Sequence, residues 1–233
     1  MDIIGNVPIY WINLNRAEKR RKFMEDQFSE HKLVNVKRIE AVDGNNLDQI
    51  YLKKHKRFYK NNQQLNKYEK ACTLSHIKAI QCAYDDNLDY VIVMEDDCCF
   101  RYINFQTIPI IDLMSNNNDI ELIQLMTICD VNESTNLAQS KNMIEKGYHA
   151  SAGAYIISKI GMMKILQAKP SELLSEADHY LYYNLNTYHV TKPYFRDNIS
   201  YETQLRLGIE KKKDFNLHLQ NIKFWDNYYK LRR

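Results

Sequence analysis

Three consecutive carboxylates, Glu95-Asp96-Asp97, close an apolar run that starts at Tyr90 and reads YVIVM. Burying unpaired charge at the edge of a core is costly, so a bound cation is expected there. A hard divalent metal, which takes oxygen ligands and can itself hold a phosphate, suits such donors. A solvated acidic turn after a strand is the alternative on these residues alone. Other positions carry chemistry too. Asn13, Asn15 and Arg16 stand where a first strand turns into a basic helix, and the free N–H groups of a helix start favour anions; an ordinary solvated helix is the other reading. Asp43, before Gly44, either hydrogen-bonds a ribose or base or simply initiates a turn. His76, one turn from Cys72, faces inward as a core histidine or a site residue. Gly153 permits close approach by a ligand or a neighbouring element. Asp178 fits the fourth position of a Ser175-x-x-Asp178 capping box, and from that helix start it could also project into a cleft as a base.

The elements that position these residues follow from periodicity. Residues 7–14 (VPIYWINL) read as a strand, with Asn15 and Glu18 capping a helix that runs to about 28. A second strand is expected over 34–42 and a polar, basic loop or short helix over 47–66. Asn66 and Glu69 form a capping-box pair opening a helix to about 86, whose stripe of Ala71, Cys72, Ser75, Ala79 and Ala83 permits tight packing on a sheet. The β-branched run 91–93 reads as a strand buried on both faces. A helix is expected near 108–115, a strand over 120–128, a long polar loop over 130–146 and a small-residue strand over 149–157. A helix over 158–168, stopped by Pro170, a short helix after Ser175 and a strand over 186–195 complete the pattern, with Asp197 just beyond. Strands alternating with helices predict an α/β sheet that binds its ligand at the carboxyl ends of the strands.

Composition bounds the classes. The 233 residues are 45% hydrophobic and 12% aromatic, a globular balance, and suit one domain over 1–200 with an extension over 201–233. A net charge of +3 from 32 basic and 29 acidic residues does not call for a nucleic-acid partner. No basic leader with a long apolar stretch and no membrane-length run stands out, and five cysteines without zinc-like or redox spacing fit reduced thiols, so a cytoplasmic protein is expected. From 201 onward lysines and arginines mix with Phe215, Phe224, Trp225, Tyr228 and Tyr229. That mixture suggests an interface, either a docked helix with a solvated basic face or a peripheral contact with an anionic membrane.

An ordered set of short motifs runs through the chain: Ile12-Asn13-Leu14 with Arg16 and Arg20, Ala41-Val42-Asp43-Gly44, Cys72-Thr73-Leu74-Ser75-His76, Met94-Glu95-Asp96-Asp97, Gly153-Ala154-Tyr155 before a helix containing Gly161, and Ala177-Asp178. In this order and spacing the chain resembles glycosyltransferase family 25, the group of lipopolysaccharide and collagen galactosyltransferases. The resemblance implies a GT-A-type fold, an α/β sheet flanked by helices, mixed and mostly parallel. It also implies a divalent metal, Mn2+ or Mg2+, held by an acid-x-acid motif, a UDP-sugar donor (usually UDP-galactose), inversion at the anomeric carbon, and a glycan, lipid-linked or protein acceptor. On that resemblance, and with the alternation of an extended strand, Glu95 and Asp97 take the metal and Asp96 the donor ribose or sugar, unless a local turn exchanges these roles. Asn13, Asn15, Arg16, Asp43, His76 and Gly153 line the donor, and Asp178 is the base. No clear third metal ligand stands out, and Asp197 or His189 could serve. The family's Gly-Glu-x-Gly-Cys stands here as Tyr68-Glu69-Lys70-Ala71-Cys72, with both glycines replaced. An alternative function is a catalytically silent nucleotide-sugar-binding protein with an interaction role.

Overall fold

The computed structural model describes residues 2–47, 65–115, 119–168, 176–198 and 211–232, with the side chains of 211–215 left aside. The chain opens β1 (Ile9–Asn13), α1 (Glu18–Glu30), β2 (Val36–Glu40), α2 (Lys67–Asp85), β3 (Tyr90–Glu95) and β4 (Cys98–Cys99). A 3-10 segment (Phe100–Phe105) leads to α3 (Ile110–Ser115), β5 (Leu122–Gln124), α4 (Val131–Gln139), β6 (Ile144–Lys146), β7 (Ala154–Ser158) and α5 (Lys159–Gln167). The last elements are α6 (Ala177–Tyr183), β8 (Thr187–Val190), β9 (Arg196–Asp197) and α7 (Lys211–Lys230). Among the described residues these strands build a seven-stranded sheet in the order β2-β1-β3-β7-β5-β8-β6, and β4 pairs with β9 in a separate two-stranded sheet. The large sheet is mixed: β1 is parallel to β2 and β3, β5 is parallel to β8, and the other three pairings are antiparallel.

Period-two alternation explains why both faces are covered. Ile9, Trp11, Ile92, Met94 and Ile156 point to one face, where Met24 and Phe28 of α1 pack on them. Tyr10, Ile12, Val91, Val93, Tyr155 and Ile157 point to the other, against α2, α5 and α6. Ala79 and Ala83 of α2 are fully buried, and their small side chains let the helix lie close on the strands. A third cluster holds α7 to the domain: Trp225 and Tyr229 pack with Tyr102, Cys129 and Leu137. Trp225 is 0% exposed, so its ring faces the protein, as in the docked-helix reading of the basic aromatic tail. No helix among the described residues is long and apolar enough to cross a membrane.

Several local expectations change. The capping box of α2 is present: Asn66 Oδ1 accepts from the N–H groups of Tyr68 and Glu69, and Glu69 Oε2 accepts from Asn66 N. The one expected for α1 is not. Its cap residue is Ala17, with no side-chain cap bond, because Asn15 instead accepts from Arg38 at 2.6 Å and donates to Glu40. Residues 130–146 are not a long loop. Asp130 accepts from Glu133 N at 2.9 Å and caps α4, whose Ser134 and Leu137 are buried, and β6 follows at the sheet edge. Glu176 is the cap of α6, so Asp178 is the second helical residue rather than the third, and Ser175 lies outside the described residues. The strands expected over 34–42, 120–128, 149–157 and 186–195 are shorter than their apolar runs, and most of the basic segment 47–66 lies outside the described residues.

Candidate active site

The carboxyl ends of β1 and β3 and the start of β7 meet on one edge: Ile12 is in register with Glu95, and Glu95 N donates to Gly153 O at 2.9 Å. A cavity of about 580 Å³ opens there, walled by the loops after β1, β2 and β3, by α2, and by the segments before β7 and α6. Strand geometry stops at Glu95, and Asp96 and Asp97 form a turn into β4. This turn overrides the alternation expected from an extended strand. Glu95 does not point the same way as Asp97; instead Asp96 and Asp97 share one guanidinium. Arg20, on the first turns of α1, reaches Asp97 Oδ2 at 2.6 Å and also pairs with Asp96. Glu95 turns the other way, toward His76 Nε2 at 3.2 Å and Cys72 Sγ at 3.8 Å.

β9 brings Asp197 to the same cluster. Asp197 is in register with Cys98, Asn198 N donates to Asp97 O at 2.7 Å, and His218 of α7 lies 2.8 Å from Asp197 Oδ2. Asp96 and Asp97 thus share one arginine, and the charges of Glu95 and Asp197 also act on it. Burial raises the Asp97 carboxyl to about 8; Arg20 opposes the rise, and Asp197, Glu95 and Asp96 add to it. Asp96 is also raised, again by burial first. Burial works upward on Glu95 as well, but the His76 hydrogen bond and ring, with Arg20, hold it below the usual carboxylate range. An all-oxygen set whose negative charge is so incompletely balanced fits a hard divalent cation.

The expected donor residues divide. Arg16 lines the cavity and pairs with Asp43 at 3.0 Å, while Asp43 also accepts from Asn45 N, so its carboxylate ties a turn. Asn13 and Asn15 do not line the cavity. Asn13 is buried beneath it, donating to Asp96 Oδ2 at 2.6 Å and accepting from Arg21 and Arg38. These bonds tie Asn13 to the turn. His76 satisfies both readings at once: it is buried, bonds Tyr155 OH through Nδ1 at 3.2 Å, and still borders the cavity. Gly153 borders the cavity too, but its close neighbour is protein, since an added Cβ would lie 1.9 Å from Met126 Cε. Of the two possible extra ligands, Asp197 reaches the cluster, whereas His189 of β8 packs edge-on against His149 and is not among the residues lining the cavity.

Asp178 lines the cavity and is held by backbone. Its Oδ2 accepts from Ser151 N at 3.1 Å and its Oδ1 from His179 N at 2.8 Å. Ser151 adopts φ +93°, an uncommon conformation for a residue with a side chain. Its carbonyl accepts from Tyr182 OH and from Gln124 Nε2, both at 2.7 Å, which fixes the strained loop in place. Ser151, Tyr182 and His218 had no local sequence signal. Arg20 had one, its place beside Ile12-Asn13-Leu14 and Arg16 in the ordered motifs.

With this geometry in place, the comparisons with known proteins are specific. The profile of the family described as "Glycosyltransferase family 25 (LPS biosynthesis protein)" matches residues 6–181. Human procollagen galactosyltransferase 2 is 30% identical over 196 residues, covering 77% of this chain and 30% of that protein. A glycosyltransferase 25 family member of Drosophila melanogaster is 29% identical over 182 residues, covering 74% of this chain and 30% of that protein. The chain therefore spans about three tenths of the length of these relatives. Its α/β architecture, a mixed sheet flanked by helices, agrees with the GT-A-type arrangement expected from its motifs. On the extent of the profile match, the chain belongs to glycosyltransferase family 25.

Proposed function

We propose that this chain transfers a hexose, galactose from UDP-galactose, to a hydroxyl of a glycan, lipid-linked or protein acceptor, with inversion at the anomeric carbon. The observation that carries this reading is one cavity bordered both by the Arg20-linked carboxylate cluster and by Asp178, a carboxylate fixed by backbone N–H groups. The family membership and the galactosyltransferase among its relatives support the sugar and the donor class. Asp97 and Asp197, with the charge of Glu95 beside them, would hold Mn2+ or Mg2+. Bound there, the cation supplies charge neutralisation for a diphosphate leaving group.

The chain's own residues do the rest. Arg20 holds the two aspartates of the turn so that both face one point, and Asn13 fixes Asp96 from below. Asp178 takes the proton of the acceptor hydroxyl, and its two backbone donors hold it oriented for that task. The decisive experiment is nucleotide release and product formation across UDP-sugars, with and without EDTA, for the parent protein and for Asp178→Asn. The expected pattern is EDTA-sensitive transfer from UDP-galactose, lost by about a hundredfold or more in Asp178→Asn with donor binding kept. Transfer undiminished in Asp178→Asn would remove the base assignment. Donor binding with no turnover under any condition would favour the silent binding protein.

A further inference from the structure

Cys72 and His76 stand four residues apart on α2, so their side chains lie one above the other on the same helix face. Glu95, at the end of β3, points its Oε1 at both, 3.8 Å from Cys72 Sγ and 3.2 Å from His76 Nε2. The sulfur, nitrogen and oxygen atoms all lie within 4.8 Å of one another. Tetrahedral coordination by bonds of about 2.0–2.3 Å sets ligand atoms about 3.3–3.8 Å apart, so small side-chain rotations close the set. Tyr155 OH, 3.2 Å from His76 Nδ1, fixes the ring with Nε2 turned toward the other two donors. All three residues border the cavity, which leaves a fourth position open to solvent or ligand.

We propose that Cys72, His76 and Glu95 form a binding site for a thiophilic divalent cation of the zinc class. The donor chemistry separates it from the neighbouring aspartates: a thiolate and an imidazole favour Zn2+, Co2+ or Cd2+, whereas carboxylates alone favour Mg2+ or Mn2+. Binding replaces the Cys72 S–H bond with a sulfur–metal bond and releases one proton to solvent. Burial, with Glu95 and Asp178 adding to it, keeps the empty-site thiol protonated well above its usual range, so the site stays a thiol until a cation arrives. A cation there occupies part of the space a sugar donor needs. Resting on the transferase reading, zinc therefore competes with the donor and inhibits.

The test uses cobalt as a visible probe on the full chain, without sugar turnover, so its outcome is independent of the transferase assignment. One equivalent of Co2+ is expected to give a thiolate-to-cobalt charge-transfer band that Zn2+ displaces and a tenfold excess of Mg2+ does not. Cys72→Ser should abolish the band and weaken zinc binding by at least about tenfold, and Tyr155→Phe should keep the band and lose about tenfold in affinity. Glu95→Gln, which preserves shape, should also weaken binding, while Cys82→Ser on the same helix should change nothing. A band that survives Cys72→Ser, or zinc affinity that depends on Asp97→Asn and not on Cys72 or Glu95, overturns the proposal.

Discussion

Replacing Arg20 with Gln removes the one guanidinium shared by Asp96 and Asp97 while keeping much of the side-chain length. The Arg20 side chain is 17% exposed and each aspartate 8%, so solvent screens these pairs poorly. Breaking a buried pair by deleting one partner costs about 3–5 kcal/mol, because the other charge is left uncompensated. Here the carboxylates can respond by taking up protons. Losing Arg20 removes the opposing influence on Asp97, already raised by burial to about 8, and lifts its folded-state value further. A carboxyl raised on folding contributes stability that is fully present below its unfolded value and is lost as pH rises through the folded one. The gap between parent and variant must therefore widen with pH. At pH 5, with Asp97 protonated in parent and variant alike, only the lost hydrogen bonds remain, about 1–2 kcal/mol; the gap begins to grow at about pH 8 and adds about 1.4 kcal/mol per pH unit above it, reaching about 3–4 kcal/mol at about pH 9.5. With a urea slope of about 3 kcal/mol per molar, the midpoint falls by about 1–1.3 M at about pH 9.5 and by about 0.3–0.7 M at pH 5. Urea titrations followed by circular dichroism at the two pH values check this. Equal losses at both would show that Arg20 acts through packing and not through charge.

Divalent-cation affinity should rise about tenfold per pH unit up to about pH 8 and then level off, because a cation displaces the proton that Asp97 holds below that value; calorimetric Mn2+ titrations between pH 6 and 9 measure it, and a flat profile would place the cation elsewhere. Trp225→Ala should cost about 3–5 kcal/mol, since the ring is wholly buried in the cluster that docks α7, and limited proteolysis should then cut α7 first. Gly161→Ala should destabilise by about 1–3 kcal/mol despite its better helix propensity, because the new Cβ meets the Glu121 backbone oxygen at 2.7 Å. Gly153→Ala should cost less, since what it meets is the movable tip of Met126; thermal melts that rank the two the other way would contradict the contact geometry.

Features decided by short-range chemistry were legible in the sequence. The Asn66–Glu69 cap, the two-faced strands β1 and β3, and the acidic edge after Met94 each depend on neighbours a few residues away, so residue type and spacing reveal them. Features that needed distant partners were not. Asn15 resembled a helix cap until Arg38 and Glu40 of the adjoining strand claimed its side chain. Polarity made 130–146 look like a loop, although Asp130 with Glu133 is itself a helix-start signal and Ser134 is satisfied by Asn221 of α7. Alternation did not carry on through Asp96 and Asp97, because the strand ends one residue into the triplet and a local turn takes over. The contributions of Ser151 and His218 come from a strained loop conformation and from a helix packed far along the chain, and neither leaves a local pattern.

The pairing of β4 with β9 has a temporal side. Asp97 and the Asp197 that faces it are a hundred residues apart in the order of synthesis, a delay of about 5–20 s at ordinary elongation rates. During that interval the nascent chain carries the strand, its acidic turn and Arg20, all supplied by its first hundred residues, without the strand that closes the cluster or the helix that brings His218 to it. An early-folding half can gather the first charges, but the full carboxylate cluster is assembled only after β9 has emerged. A chain stalled before that point would hold the acidic turn and Arg20 together with no Asp197 opposite them.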